Sequence, residues 1–371
     1  RKIPVLNATE YGLLVNEARA NGGQGPLFTN IASLGQGTDW QDKVFEAAPV
    51  FNAAVTVGGG GEKSRYTFGA SYLTQDGIVG GDKANFERIT ARVGYNVDIL
   101  DNLKFNSSML YTGTVRSGVL ENTIGSILYN ALNNAPTFAI RDEAGAFTLA
   151  EGLGNEVINP LAQLENTYNE GTVDRISGSF GLSYDFLEHF KVETRFQANY
   201  ADVDGFSFSP TAFYGSGKVF NIARSSVVES KSIFKDYIFD AFATYQRTFK
   251  ENHNLTVLLG NSISQTVGSF SGFTGFDIEN NSVANASISQ ANDVVNNFPN
   301  GNASFDSRLL SYFTRVQYDY KGKYLFSGLA RRDGSTKFGP RNKFGFFHSA
   351  SVGWIASDES FLEDSSSINF L

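Results

Sequence analysis

Few residues of this chain are arranged for covalent chemistry. Its imidazoles are His189, His253 and His348, and no two share a metal-ligand spacing. Cysteine is absent, which removes disulfides and thiolate metal sites and fits passage through an oxidising compartment. No Gly-x-Ser-x-Gly elbow and no Ser/His/Asp constellation occurs. The chain therefore reads as a non-enzyme, without catalytic, cofactor-binding or metal residues. Asp202-Val203-Asp204-Gly205 opens like a Ca²⁺ loop but lacks the distal acidic ligand at the required spacing. Gly58 to Gly61 has neither the following helix nor the Lys-Ser/Thr pair of a phosphate cradle, and reads as a flexible hairpin turn. Arg331-Arg332-Asp333 reads as a charged strand end at a rim, with Asp333-Gly334 supplying a positive-φ turn. What remains is recognition chemistry. Tyr168, Asn169, Phe206, Tyr214, Phe273 and Phe276 mix aromatic faces, which stack on sugar rings or peptide side chains, with amides that bond hydroxyls or backbone. They are candidate substrate contacts, and loop packing or contact with a partner lid is the competing account.

The elements that would carry these residues follow from a period of two. From Ile176, the side chains Ile176, Phe180, Leu182, Tyr184 and Phe186 point one way and Ser177, Ser179, Gly181, Ser183 and Asp185 the other. A return strand sets Phe190, Val192, Thr194, Phe196, Ala198 and Tyr200 against Lys191, Glu193, Arg195, Gln197 and Asn199. The charged face needs water and the apolar face needs a dry medium. Segments of about ten residues suit a tilted strand crossing hydrocarbon, so the pattern predicts an all-β transmembrane antiparallel barrel. Composition agrees, with Gly 38, Phe 33, Tyr 16 and Pro only 8 in 371 residues. No apolar run is long enough for a helical span. The net charge of −8 argues against nucleic acid as a partner.

Expected strands run near 50–57, 64–74, 86–97, 103–116, 172–186, 190–200, 231–249, 254–270, 307–320, 324–332 and 346–357, with another beginning at Ile368 to Leu371. Residues 1–48 form a lead-in. Asn7 and Glu10 make a capping box for a helix carrying Tyr11, Leu14, Val15 and Ala18, and irregular surface structure follows to about Glu46. Residues 49–371 form the barrel portion. Long segments at 117–171, with a helix around Ile124 to Asn133, at 204–229 and at 271–306 alternate with short turns. In outer-membrane barrels the short turns are periplasmic and the long loops extracellular. Tyr95, Tyr184, Phe186, Tyr245, Tyr318 and Tyr320, before short turns, and Phe190 and Tyr324, after them, should form the periplasmic aromatic girdle.

Three stretches carry a resemblance. Arg331-Arg332-Asp333-Gly334-Ser335-Thr336-Lys337-Phe338-Gly339-Pro340, with Asn342-Lys343-Phe344-Gly345 and Ser351-Val352-Gly353-Trp354, resembles the RRDGSSRFG…N+WG…PSVSLGW stretch of SusC-like (RagA-like) TonB-dependent outer-membrane transporters of Bacteroidota. Leu6-Asn7-Ala8-Thr9-Glu10-Tyr11 with Val15-Asn16-Glu17-Ala18 is similar to that family's LNAxEY…VNEA segment, and Thr38-Asp39-Trp40-Gln41-Asp42 with Phe86-Glu87-Arg88 to its TDWQD…FER pattern. Phe344 stands where the family usually has Trp, and His348 where Pro is common. The resemblance implies a barrel of about 22 strands closed by a plug, of which this chain would be a fragment, about half the wall. It implies active import of an oligosaccharide or oligopeptide across the Gram-negative outer membrane. The implied partners are a SusD-like surface lipoprotein, outer-membrane lipids and, through a region before this chain, the TonB–ExbB–ExbD complex. A passive porin-like channel and a non-transporting surface adhesin or glycan-binding β protein are the alternatives.

Overall fold

Alternation along the strands becomes pairing between them. The computed structural model describes residues 2–120, 122–298 and 303–362. Its strands are β1 (Val50–Gly60), β2 (Ser64–Asp76), β3 (Asn85–Leu100), β4 (Leu103–Ser117), β5 (Tyr168–Phe186), β6 (Phe190–Ser209), β7 (Ser226–Phe249), β8 (His253–Ile278), β9 (Ala291–Asn296), β10 (Ser304–Tyr320), β11 (Tyr324–Ser335) and β12 (Phe344–Trp354). They form one 12-stranded antiparallel sheet in chain order, except that β9 pairs with the end of β8 and β10 lies next to β8 along the main path. Consecutive strands have neighbouring places, so each register is set by its own connection.

Several strands run further than expected. β6 continues through Ser209 and β8 through Ile278, so the second long connection shrinks to 210–225 and much of the third becomes the β8–β9 ladder. Asp333 and Gly334 are not a turn. They pair inside β11 with Ser311 and Leu310 on one side and Gly345 and Phe344 on the other. Gly334 is needed for another reason: a Cβ there would run into the Phe344 ring lying over it. The Gly58 to Gly61 turn is likewise shorter, because β1 extends to Gly60. Asp202 to Gly205 is strand rather than loop, and Lys231 bridges Asp202 at 2.7 Å and Asp204 at 3.2 Å from the neighbouring β7. An ammonium thus stands beside these carboxylates. The strand expected at Ile368 to Leu371 lies outside the described residues.

The first 48 residues are not merely irregular. Helix α1 (Ala8–Asn21) has its capping box, with Glu10 N–H donating to Asn7 Oδ1 at 2.9 Å and Asn7 N–H to Glu10 Oε2 at 2.9 Å. Its packed face is centred on Ala8 and Gly12, though, and Leu14 stays exposed. A short helix α2 (Trp40–Val44), capped by Asp39, follows. It packs against α3 (Ile127–Asn133), which begins inside the expected helix, and α4 (Pro160–Glu165), both in the β4–β5 connection. Trp40, Val44, Val79, Ile127 and Ala131 form a buried cluster, and the Trp40 indole N–H donates to Ala135 O at 2.9 Å. Gly37, at φ +68°, is pressed against Pro136 and Ala8 where a side chain has no room.

Candidate functional site

The two faces of the sheet differ in chemistry along its whole width. One carries Val57, Phe68, Val93, Met109, Ile176, Phe180, Phe196, Phe239, Ile263 and Phe326, many of them large and exposed. On β5 the positions of this face from Phe186 back to Ile176 are apolar or Gly, and Asp174 ends the run. On β6 it runs from Phe190 to Tyr200, with Thr194 as its one hydroxyl, and Asp202 ends it. Both match the roughly 9–11 residues of a tilted strand crossing hydrocarbon. At the short-turn edge the face is aromatic. Tyr66 pairs with Tyr95, Phe186 with Phe190, Phe190 with Tyr245, Tyr318 with Phe326, and Tyr320 with Tyr324. Rings that combine an apolar body with a polar tip settle at headgroup depth.

The opposite face carries Arg92, Arg175, Lys191, Glu193, Arg195, Gln197 and Asn199. Lys191 and Glu193 pair at 3.0 Å. Arg92, Ser108, Ser177, Ser179, Gln197 and Asn199 line a groove of about 460 Å³ on it. Such a surface is stable only against water or a polar occupant.

Above the apolar face the long connections assemble a folded cap, and a second cavity of about 560 Å³ lies there. It brings together Tyr168, Asn169 and Tyr214 with Gln163, Asn166, Phe208, Phe220 and Asn221. Tyr168 stacks at a tilt on Phe208, centroids 5.8 Å apart, and the Lys83 ammonium sits 3.7 Å over its ring. Desolvation holds Lys83 below the usual lysine range, with Glu165 opposing. Tyr214 is 6 % exposed, and burial pushes its phenol upward. The amides are held in place: Asn221 Oδ1 accepts from Tyr214 N–H at 2.7 Å and its Nδ2 donates to Gly215 O at 2.7 Å. Asn130, fully buried, donates to Gln163 Oε1 at 2.8 Å and accepts from Ile158 N–H at 3.0 Å. Lys218 ties the 210–225 connection to the β4–β5 connection, its Nζ donating to Ala150 O at 2.7 Å and Gly154 O at 3.0 Å. Its burial lowers the ammonium's pKa, with Glu151 and Glu156 opposing.

The other candidates lie elsewhere. Phe206 packs beside the Phe208, Val227 and Ile278 cluster. Phe273 and Phe276 are on the β8–β9 ladder, paired with Asn296 and Asp293, and Phe276 carries the Arg224 guanidinium 4.5 Å over its ring. Gln163, Asn166, Lys218 and Asn221 have no sequence signal, because what joins them is a contact between two separate connections. His253 Nδ1 and Tyr318 Oη are 2.7 Å apart, and His189 meets Tyr245 edge-on. Among the described residues no cluster of His, Asp and Glu is set to hold a metal ion.

An antiparallel sheet with one hydrocarbon-facing side, an aromatic belt, a polar inner side and a cap on its long loops is the wall of an outer-membrane β-barrel. No helix of the described residues is long and apolar enough to cross a membrane. No family model matches the chain. Relatives do. The chain is 28 % identical over 374 residues to "TonB-dependent receptor P3" of Formosa agariphila, covering 99 % of this chain and 35 % of that protein. It is 24 % identical over 388 residues to "TonB-dependent receptor SusC" of Bacteroides thetaiotaomicron, covering 98 % and 36 %. Solved structures of the RagAB peptide transporter share the fold, with TM-scores of 0.73 and 0.75 at 18 % and 16 % identity, covering 89 % and 96 % of this chain and 37 % and 42 % of theirs. The chain thus resembles SusC-like TonB-dependent receptors along nearly its whole length, and it spans about a third of the length of the curated relatives it matches.

Proposed function

We propose that this chain supplies wall and extracellular loops to an importer energised through TonB, which brings an oligomeric nutrient, an oligosaccharide or oligopeptide, across the outer membrane. The carrying observation is the division of a single sheet into a hydrocarbon face and a charged, amide-rich face. The names of its relatives, TonB-dependent receptors and SusC, favour energised import over a passive pore. Cargo would meet the capped end first. There, Tyr168, Asn169 and Asn221 line a cavity that suits ring stacking and hydroxyl or amide bonding. A SusD-like lipoprotein would sit over this end. The protein acts as a transporter rather than an enzyme.

The test is import of labelled oligomers by cells carrying the whole receptor. Deleting TonB should abolish uptake, and undiminished uptake would favour a porin. Asn169→Ala and Asn221→Ala should raise the apparent KM for import without lowering receptor abundance. Unchanged uptake in both would assign the cavity to loop packing.

A further inference from the structure

The apolar face changes sign along its upper edge. Over β3 to β6 the first charges met toward the outer edge of the hydrocarbon band are Glu87, Asp174, Asp202 and Asp204, with Lys231 bridging the last two. Over β7 to β11 they are Lys235, Arg308 and Arg332, with Asp306 held by Arg308 at 2.8 Å. Arg332 is the lowest of these. Its neighbour Arg331 turns to the polar face and pairs with Asp333 at 2.7 Å and with Ser311 at 2.9 Å. Arg332 instead lies 4.4 Å over the Phe344 ring and, among the described residues, faces no carboxylate. With a rise of about 3.3 Å per residue and a tilt of about 40°, β11 climbs roughly 20 Å from Tyr324 in the aromatic belt to Arg332. The apolar band of such barrels is about 25 Å tall, so this guanidinium lies just inside its outer edge.

Directly beneath it is a groove of about 390 Å³. Thr314 and Ala330, paired across β10 and β11, are its small floor, and Leu259, Tyr312 and Phe346 rise around them. A narrow apolar trough with an unpaired cation at its outer rim matches a lipid tail and its anionic head. We propose that Arg332 and this groove bind a phosphorylated glycolipid of the outer leaflet, of the lipid A class, with a phosphate on the guanidinium and one acyl chain along Ala330 and Thr314. The planar guanidinium can bind phosphate oxygens bidentately, which ammonium cannot. The acidic edge over β3 to β6 repels the same headgroup, so the lipid is directed to one sector of the wall. The inference rests on the apolar face meeting the membrane and stands whether or not the protein imports.

The whole receptor, in nanodiscs of phosphatidylcholine, is titrated with diphosphoryl lipid A and the bound lipid is counted by native mass spectrometry. Arg332→Gln should weaken binding about tenfold and Arg332→Lys about threefold. Ala330→Phe fills the trough with the charge intact and should weaken it comparably to Arg332→Gln. Lys321→Gln, at the other membrane edge, should change nothing. Dephosphorylated lipid A should bind the unaltered receptor about as poorly as diphosphoryl lipid A binds Arg332→Gln. Equal retention by the unaltered receptor and Arg332→Gln, or indifference to the phosphates, overturns the site. Phosphatidylglycerol binding as tightly as lipid A overturns the glycolipid assignment.

Discussion

The wall and the cap bury their apolar side chains in opposite senses. In the cap, Trp40, Ile127, Ile158, Tyr214 and Phe208 are withdrawn from solvent into small cores under polar loops, as in a water-soluble domain. In the wall, Val55, Phe68, Ile89, Phe239 and Ile263 stand exposed on a continuous face, and few strand residues outside the cap region are buried. Both arrangements lower free energy, because the wall's outward solvent is hydrocarbon and the cap's is water. The same residue type therefore stabilises in two ways. Packing against specific neighbours decides in the cap, and mere orientation decides in the wall.

The largest expected effect exploits the cap. Trp40 fills the junction of α2 with the β4–β5 connection and bonds Ala135 O. Trp40→Ala should cost about 3–5 kcal/mol of cap stability, since the lost ring leaves a cavity and takes from Ala135 O one of its two donors, the other being Phe138 N–H. Hydrogen exchange should show protection lost over 38–46 and 119–165, with the amides of β5 to β8 unchanged. Collapse of the wall as well would show that the two regions fold as one unit.

The wall gives the next effect. Phe239 faces hydrocarbon near mid-strand, paired with Phe196 and Ile263. Phe239→Arg should cost about 2–4 kcal/mol in urea-dependent refolding into bilayers, because the charge meets the low-dielectric band. Asn199→Arg, on the polar face, should cost less than about 0.5 kcal/mol. Equal costs would mean that the faces are wrongly assigned.

How much of this was legible follows from the same contrast. A strand's parity is local information, so Ile176 to Phe186 and Phe190 to Tyr200 declare their faces unaided, and the girdle from Tyr95 to Tyr324 follows from the short turns. The cap is non-local. Trp40 lies in a stretch without period, and its partners Ile127 and Ala131 are joined to it only by folding. The strand ends carry no such local signal, for a related reason. Beyond the membrane β6 and β8 face water and cap rather than hydrocarbon, so alternation gives way to Phe206, Phe208 and Phe276 on ladders that only pairing reveals. The cavity's aromatics Tyr168 and Tyr214 stand out by type, whereas Gln163, Asn166 and Asn221 are ordinary loop amides until two connections meet.

Lys218 tests how that meeting is held. Its ammonium is buried at 6 % exposure among the carbonyls of Ala150, Leu153 and Gly154. Lys218→Ala removes the ammonium these three carbonyls share, leaving Ala150 O and Gly154 O only their backbone donors from Leu153 and Val157, and should destabilise the closed cap by about 1–3 kcal/mol, measured as protease resistance of the 210–225 connection.

The smallest effect concerns pH and separates cap from wall most finely. Burial holds the Lys218 pKa below the ordinary lysine value, and in an opened cap the amine would titrate near about 10.4. Between those two values the opened cap binds more protons than the closed one, so closure gains stability as pH rises, by at most about 1.4 kcal/mol per pH unit for one proton. Below the lowered value both forms are protonated and this dependence vanishes. Trp40 emission in a Trp354→Phe background should therefore report a cap that resists denaturant slightly better toward alkaline pH, and Lys218→Ala should flatten the slope. A slope that survives Lys218→Ala would assign the dependence to other groups and leave Lys218 a purely structural donor.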